Sequence, residues 1–216
     1  MLKIAFYGGS FDPPHLGHMA IGEALLAQFK LDEFVFVPAF HAPHKKGRTP
    51  TSAYDRYAML CLATQHESRI SVSRLEIEMP GKPYSYETLN RLVEMLPREE
   101  IYFVMGGDSW MEITTWREWE TVLSLSNHIV VTRPGFDIDF DHVTDEIRER
   151  IVDLRDQRRE VPPVMVKGPA IYITDAVMVD LSATEIRQKI RDADETWRRD
   201  VPVEVANYIE KYQIYT

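Results

Sequence analysis

Short apolar runs that stop at a glycine or a proline alternate with longer stretches whose apolar positions recur every three or four residues. The clearest runs are residues 4–7, 34–37, 101–105 and 128–132. Runs of this length bounded by turn-forming residues are typical of buried strands, whereas the spacing of Ile21, Leu25 and Phe29 is typical of a helix. The alternation predicts an α/β domain with a mainly parallel sheet.

The same patterns predict the other elements. Helices are expected over residues 53–63, 88–96 and 143–159, from Ser182 onwards and over Val203–Tyr212, and short strands over Ile70–Val72, 75–77, 164–166 and 171–173. The prolines and basic residues of 38–51 predict a loop. Because no repeat or linker divides the chain, we expect one domain over residues 1–216, with the helices of about 181–216 packed as a small subdomain.

Composition narrows the class of protein. Hydrophobic residues make up 44% and charged residues 27%, which is typical of a globular chain. The 34 acidic and 25 basic residues give a net charge of −9, which argues against a general nucleic-acid binder. A single cysteine, Cys61, excludes a disulfide framework and a multi-thiolate zinc site. The chain shows neither a signal-peptide pattern nor 18 consecutive apolar residues, so a cytoplasmic protein is expected.

The turn after the first apolar run carries the first candidate chemistry. Residues 8–18 are Gly-Gly-Ser-Phe-Asp-Pro-Pro-His-Leu-Gly-His. Glycines let a backbone approach a phosphate closely, and the start of the following helix offers free N–H groups. His15 and His18 are three residues apart and share a helix face. These residues alone fit a phosphate site, a turn shaped only by glycine and proline, or a pair of metal ligands.

A second turn with candidate binding residues lies near the other end of the chain. Residues 180–187 are Asp-Leu-Ser-Ala-Thr-Glu-Ile-Arg. Ser182 and Glu185 have the spacing of a capping box, which would explain both of them structurally. A capping box does not explain Thr184 and Arg187, one turn further on. A hydroxyl, free amides and a guanidinium at a helix start would make a cradle for a polyphosphate.

Both turns resemble signatures of the nucleotidyltransferase superfamily. Its Gly-x-Phe-x-Pro-x-His-x-Gly-His signature is matched by Gly9, Phe11, Pro13, His15, Gly17 and His18, and its Ser-x-Thr-x-x-Arg signature by residues 182–187. Residues 102–109, 115–119 and 132–135, and Pro43-His44-Lys45 after Ala42, further resemble the bacterial nicotinate mononucleotide adenylyltransferases. Residues 83–88 depart from that family's Ser-Tyr-Thr-x-Asp-Thr segment. The resemblance implies a Rossmann-like, doubly wound sheet.

The resemblance also implies an activity and a set of site residues. The activity is adenylyl transfer from ATP to nicotinate mononucleotide in NAD biosynthesis, which gives deamido-NAD and pyrophosphate. The implied catalytic residues are His15, His18 and Arg187. The implied ATP contacts are Gly8, Gly9, Ser10, Phe11, Gly17, Gly106, Arg133, Ser182 and Thr184. The implied mononucleotide contacts are Lys45, Tyr84, Ser85, Thr88, Asp108, Trp116 and Arg117. Mg²⁺ is expected to arrive with ATP, without a dedicated set of protein ligands.

Several alternatives stay open on the sequence. Nicotinamide mononucleotide and phosphopantetheine are rival acceptors, and Ser85, in place of the family's threonine, leaves the choice between acid and amide undecided. A nucleotide-sensing module without turnover is a rival of another class. A histidine-metal hydrolase could recruit His41 and His44 to the histidine pair. The expected partners are ATP and the mononucleotide, with no nucleic-acid polymer and no membrane, and a homo-oligomer is left open.

Overall fold

A computed structural model describes residues 1–40, 51–79, 81, 83–132, 137–155, 166–177, 179 and 181–216. Among these residues seven strands form one sheet: β1 (Lys3–Gly9), β2 (Glu33–Pro38), β3 (Ile70–Val72), β4 (Glu100–Gly106), β5 (Asn127–Val131), β6 (Ile151–Asp153) and β7 (Ile171–Thr174). The strand order is β3-β2-β1-β4-β5-β7-β6, and all neighbours in it run parallel. The predicted Rossmann-like, doubly wound parallel sheet is therefore confirmed.

Helices connect these strands. In the described part of the chain they are α1 (Leu16–Gln28), α2 (Ala53–Thr64), α3 (Leu75–Glu78), α4 (Ser85–Met95), α5 (Gly107–Met111), α6 (Trp119–Leu125), α7 (Asp145–Arg148), α8 (Ala183–Arg191) and α9 (Val203–Tyr212), with 3₁₀ helices at Ile113–Thr115 and Glu195–Arg199. Among the described residues, none of the helices is long and apolar enough to cross a membrane.

Side chains of the central strands alternate between the two faces of the sheet. Ile4, Phe6 and Phe103 belong to one buried cluster, and Ala5 and Val104 to the other. Helices α4 and α6 contribute to the first cluster, and α1 and α2 to the second. Because both faces are covered, these strands read in the sequence as continuous apolar runs rather than as alternating ones.

The helices after residue 181 pack around a third cluster. Ile186, Trp197, Val205 and Ile209 are buried there together with Met59 of α2. This cluster joins α8 and α9 to the helix that follows the second strand. The organisation as one domain with a small C-terminal subdomain stays a prediction.

Two of the predicted elements are wrong. Residues 75–77 form the start of α3 and not a strand. Three alternating residues are too few to distinguish a period of two from a helical turn. The Ser73 hydroxyl accepts a hydrogen bond from the Leu75 N–H at 3.1 Å, which favours the start of a helix. Residues 143–159 are not one helix: α7 ends at Arg148, and the β-branched pair at 151–152 enters β6 beside β7. Residues 156–159 and 164–165 lie outside the described residues.

His128 of β5 is a titratable group in the middle of the core. It is fully buried, and its Nδ1 lies 2.9 Å from the carbonyl oxygen of Ser126. Burial lowers the pKa of His128 from about 6.5 to about 3. The unfolded chain takes up a proton at this ring below pH 6.5, and the folded chain does so only near pH 3. Stability therefore falls as the pH drops through that window.

We expect His128 to account for about 2 kcal/mol of the stability lost between pH 7 and pH 5. In a His128→Leu variant the pH-dependent loss should be smaller by that amount, since the other titrating groups are shared by the two proteins. Urea unfolding at the two pH values measures the difference. Equal pH dependence in the two proteins would contradict this account.

Candidate active site

The strand order predicts a ligand cleft beyond the carboxyl ends of the central strands. Chain order reverses between β1 and its neighbour β4, and in open parallel sheets ligands bind beyond the carboxyl ends of the strands at such a point. A cleft of about 560 Å³, partly open to solvent, lies there. Five of the sequence-predicted site residues line it: His15, Gly17, His18, Gly106 and Asp108.

The two histidines are brought together where α1 begins. The His15 backbone N–H donates to His18 Nδ1 at 3.1 Å, and the rings stack with their centroids 3.6 Å apart. Because Nδ1 of His18 accepts a hydrogen bond, the neutral ring carries its proton on Nε2. A paired imidazole set at a helix N-terminus, with its free N–H groups and positive dipole end, is suited to an anion.

Phe11 and two glycines of the first motif shape this turn from within. Phe11 has a φ of 47°, and its ring centroid lies 5.0 Å from that of His18. A Cβ on Gly9 would lie 2.8 Å from the Phe11 ring, and one on Gly17 would lie 3.0 Å from His15 Nδ1. These glycines therefore leave room for the motif's own side chains, a role that the sequence did not indicate.

The second motif reaches the first through Arg187. Its Nη1 donates to the carbonyl oxygen of Asp12 at 2.5 Å, and its Nη2 donates to Thr184 Oγ1 at 3.2 Å. Ser182 precedes α8, but its side chain forms no capping hydrogen bond. The capping-box interpretation of Ser182 and Glu185 is therefore wrong. The hydrogen bond from Arg187 to Asp12 shows that the two signatures lie side by side in the fold.

A buried arginine that the sequence did not single out supports the same turn. Arg56 of α2 is 1% exposed, and its guanidinium donates to four backbone carbonyl oxygens. The acceptors are Ser10 at 2.6 Å, Ala39 at 2.6 Å, Thr51 at 3.0 Å and Phe40 at 3.3 Å. Burial lowers the pKa of Arg56, and the Asp12 carboxylate opposes this shift. Arg56 thus ties together the carboxyl ends of β1 and β2.

Comparison with known proteins shows the family of this chain. Residues 6–189 match the cytidylyltransferase-like family. The chain is 37% identical over 214 residues to the probable nicotinate-nucleotide adenylyltransferase of Desulfitobacterium hafniense, covering 99% of this chain and 95% of the relative. It is 32% identical to the protein of the same name from Clostridium tetani over the full length of both. The chain belongs to the nicotinate-nucleotide adenylyltransferase family.

Solved structures agree on the fold. The Plasmodium falciparum nicotinic acid mononucleotide adenylyltransferase, solved in complex with APC and in complex with NaAD, aligns with a TM-score of 0.71 at 22% identity over 100% of this chain and 98% of that one. Membership of the nicotinate-nucleotide adenylyltransferase family makes this protein a nucleotidyltransferase, and the predicted resemblance is confirmed.

A second group of predicted site residues lies apart from the cleft lining. The Arg117 guanidinium carbon lies 5.0 Å from the ring centroid of Tyr84, and Trp116 is half-buried at the end of the nearby 3₁₀ helix. Ser85 begins α4. Thr88 is 1% exposed and donates its hydroxyl to Glu76 at 2.8 Å, so the structure places it beneath the surface rather than on it. Burial raises the pKa of that Glu76 carboxyl.

Four of the residues that the sequence analysis considered for the site lie outside the described residues. They are Lys45, Arg133, His41 and His44. Within the residues that are described, no group of three or more histidine, cysteine or acidic side chains could hold a metal ion.

The predicted site residues do not include the apolar wall of the cleft. The wall contains Ile21, Val131, Val177, Val179 and Leu181. Two of these follow β7 closely, and Val131 ends β5. For Val131, Val177 and Val179, the position at or just after the carboxyl ends of β5 and β7 is the signal that could have indicated them.

Proposed function

We propose that this protein transfers the adenylyl group of ATP to nicotinate mononucleotide, forming deamido-NAD and pyrophosphate. The observation that carries the proposal is the stacked pair of His15 and His18 at the start of α1, at the switch point of the sheet. The name carried by the chain's full-length relatives supports the same reaction. We expect it to take place in the cytoplasm, where ATP is available.

The proposed chemistry relies on positioning and charge. The attacking phosphate of the mononucleotide is already an anion, so no general base is required, and the work lies in aligning it with the α-phosphorus of ATP. His18 Nε2–H donates to the α-phosphate oxygens, because the bond from the His15 N–H to Nδ1 keeps the proton on Nε2. The negative charge that develops in the transition state meets fixed donors.

The remaining residues divide between the two substrates. We assign Arg187, Ser182 and Thr184 to the β- and γ-phosphates, since these groups stand at the start of α8. We assign the apolar wall and the open space beside Gly106 to the adenosine, because nothing lies within 4 Å of a Cβ built on Gly106. Glycines 8, 9 and 17 with residues 10 and 11 form the turn beneath the phosphates.

We assign the mononucleotide to the group of side chains around Tyr84, Trp116 and Arg117 and to the part of the cleft nearest to it. Asp108 lines the cleft at the start of α5 and would accept hydrogen bonds from a ribose. Trp116 would stack on the pyridine ring, and the Arg117–Tyr84 pair would hold its polar edge. Thr88 is buried and donates its hydroxyl to Glu76, so we assign it support of α4 rather than direct contact.

Mg²⁺ fits this donor set as an ion that enters with ATP. Asp108 is the acidic side chain among the described residues that line the cleft, and Mg²⁺ usually binds through one or two carboxylates together with substrate phosphates and waters. When bound, the ion would neutralise charge on the departing pyrophosphate.

Pyrophosphate release in the presence of ATP and Mg²⁺ tests the proposal. We expect release with nicotinate mononucleotide, with deamido-NAD identified by mass spectrometry, and slower release with the amide. Faster release with nicotinamide mononucleotide would reassign the acceptor. Binding of ATP without release from either mononucleotide would overturn the proposal in favour of a nucleotide-sensing module.

Trp116→Ala should raise the KM for nicotinate mononucleotide by roughly tenfold, because stacking of a base on an aromatic ring contributes about 1–3 kcal/mol. The KM for ATP should stay unchanged, since Trp116 lies outside the cleft lining. Steady-state kinetics with each substrate varied in turn measures the difference. Trp119 packs against the same core cluster, so Trp119→Ala is the matched control for lost packing. Equal effects of the two changes on the mononucleotide KM would contradict stacking by Trp116.

A further inference from the structure

The end of the chain returns from α9 to the turn between β1 and α1. Gln213 and Tyr215 have φ values of 52° and 72°, left-handed conformations that reverse the direction of the backbone. We call residues 213–216 the C-terminal tail. The Tyr215 hydroxyl donates to Asp12 Oδ1 at 2.7 Å, across 203 positions of sequence. The tail therefore contacts the first motif three residues before His15.

Asp12 is a point where separate parts of the chain converge. It is 8% exposed, and its carbonyl oxygen accepts the hydrogen bond from Arg187 of α8. Arg56 of α2 donates to the carbonyl oxygen of Ser10 at 2.6 Å, and its guanidinium is close enough for the Asp12 carboxylate to act on its pKa. Side chains from α2, α8 and the tail thus fix a turn of three residues.

The tail's hydroxyl is a reliable donor in this place. Burial and the neighbouring Asp12 carboxylate raise the pKa of Tyr215 well above its ordinary value. The hydroxyl therefore keeps its proton at neutral pH, and the hydrogen bond to a carboxylate is of the stronger, charge-assisted kind.

The link between Asp12 and the histidines is stiff. Only Pro13 and Pro14 separate Asp12 from His15. Each proline ring locks its φ near −65°, so a displacement of Asp12 cannot be absorbed by rotation at those two φ angles. A shift of the Asp12 backbone would therefore move His15 and the ring of His18 stacked on it.

We propose that Tyr215 is a positioning residue for the His15–His18 pair, acting through its hydrogen bond to Asp12. This inference rests on the proposed function, because the His15–His18 pair has a catalytic role only in a reaction at the phosphates. It assigns the C-terminal tail a part in that reaction without contact to either substrate.

Tyr215→Phe is the direct test, because it keeps the aromatic ring and removes only the hydroxyl. We expect kcat for pyrophosphate release to fall roughly tenfold, since small misplacements of catalytic groups are amplified in the rate. The KM values for ATP and the mononucleotide should stay within about twofold. The imidazole NMR signals of His15 and His18 should shift. Tyr212→Phe, at an exposed ring on the last turn of α9, should change none of these quantities.

A double-mutant cycle shows whether the effect passes through Asp12. If it does, adding Tyr215→Phe to Asp12→Ala lowers kcat no further. Effects that multiply, together with a lower Tm and unmoved imidazole signals, would overturn the inference and leave the tail a merely stabilising role. A wild-type rate in Tyr215→Phe with unmoved signals would overturn it as well. An inactive wild-type protein would instead overturn the proposed function, and the imidazole signals would still decide the positioning.

Discussion

Replacing His18 with alanine should lower kcat for pyrophosphate release by roughly a hundredfold to a thousandfold, the usual effect of removing one donor to developing charge. The KM for ATP should change much less, because the Nε2–H donor stabilises the transition state more than the bound substrate. Steady-state and single-turnover measurements of pyrophosphate release check both quantities. Unchanged turnover would remove His18 from the mechanism.

Two further variants separate the donor from the support of the turn. His18→Asn places an amide oxygen close to where Nδ1 accepts the His15 N–H, but it supplies no donor at the Nε2 position. We expect His18→Asn to be nearly as slow as His18→Ala. His66, an exposed histidine that pairs with Glu204 on the surface, provides the control, and His66→Ala should keep the wild-type rate. Recovery of the rate in His18→Asn would show that His18 only supports the turn.

The fold could be predicted where a single pattern dominates. Strands β1, β2 and β4 are buried on both faces, so each appears in the sequence as a continuous apolar run ended by glycine or proline. Helix α9 begins and ends as predicted, at Val203 and Tyr212. The pattern failed at 75–77, where three residues fit two periods, and at 143–159, where charged residues conceal a short edge strand. In both places tertiary packing decides what the local sequence leaves undecided.

The sequence indicated candidate site residues only where they belong to a recognisable motif. The two signatures gave His15, His18 and Arg187, but not the way they are held. Arg56 stands between Asp55 and Tyr57 in the sequence, and an arginine is usually a solvated surface cation. Tyr215 contacts a residue 203 positions away. Neither spacing nor periodicity encodes contacts of this kind, so the supporting network becomes visible only when the chain is folded.

Arg56→Met should destabilise the fold by about 3–4 kcal/mol, because it leaves four half-buried carbonyl oxygens without the Arg56 donors at about 1–3 kcal/mol each, partly offset by relaxation and water entry. Methionine fills a similar volume and removes only the charge and the donors. Arg56→Lys keeps the charge, yet its ammonium cannot reproduce the planar fork that reaches both Ser10 and Ala39, so we expect an intermediate loss. Urea unfolding measures all three proteins.

The matched control for Arg56 is Arg91, an exposed arginine on α4, and Arg91→Met should stay within about 0.5 kcal/mol of the wild type. The same Arg56→Met protein should also lose turnover, since the Ser10 carbonyl that Arg56 holds belongs to the turn beneath the histidine pair. Stability within about 1 kcal/mol of the wild type would mean that water or a backbone shift satisfies the carbonyls. In that case the turn would be held from the side of Asp12, by Arg187 and Tyr215, and Tyr215→Phe should then have a larger effect on kcat than Arg56→Met.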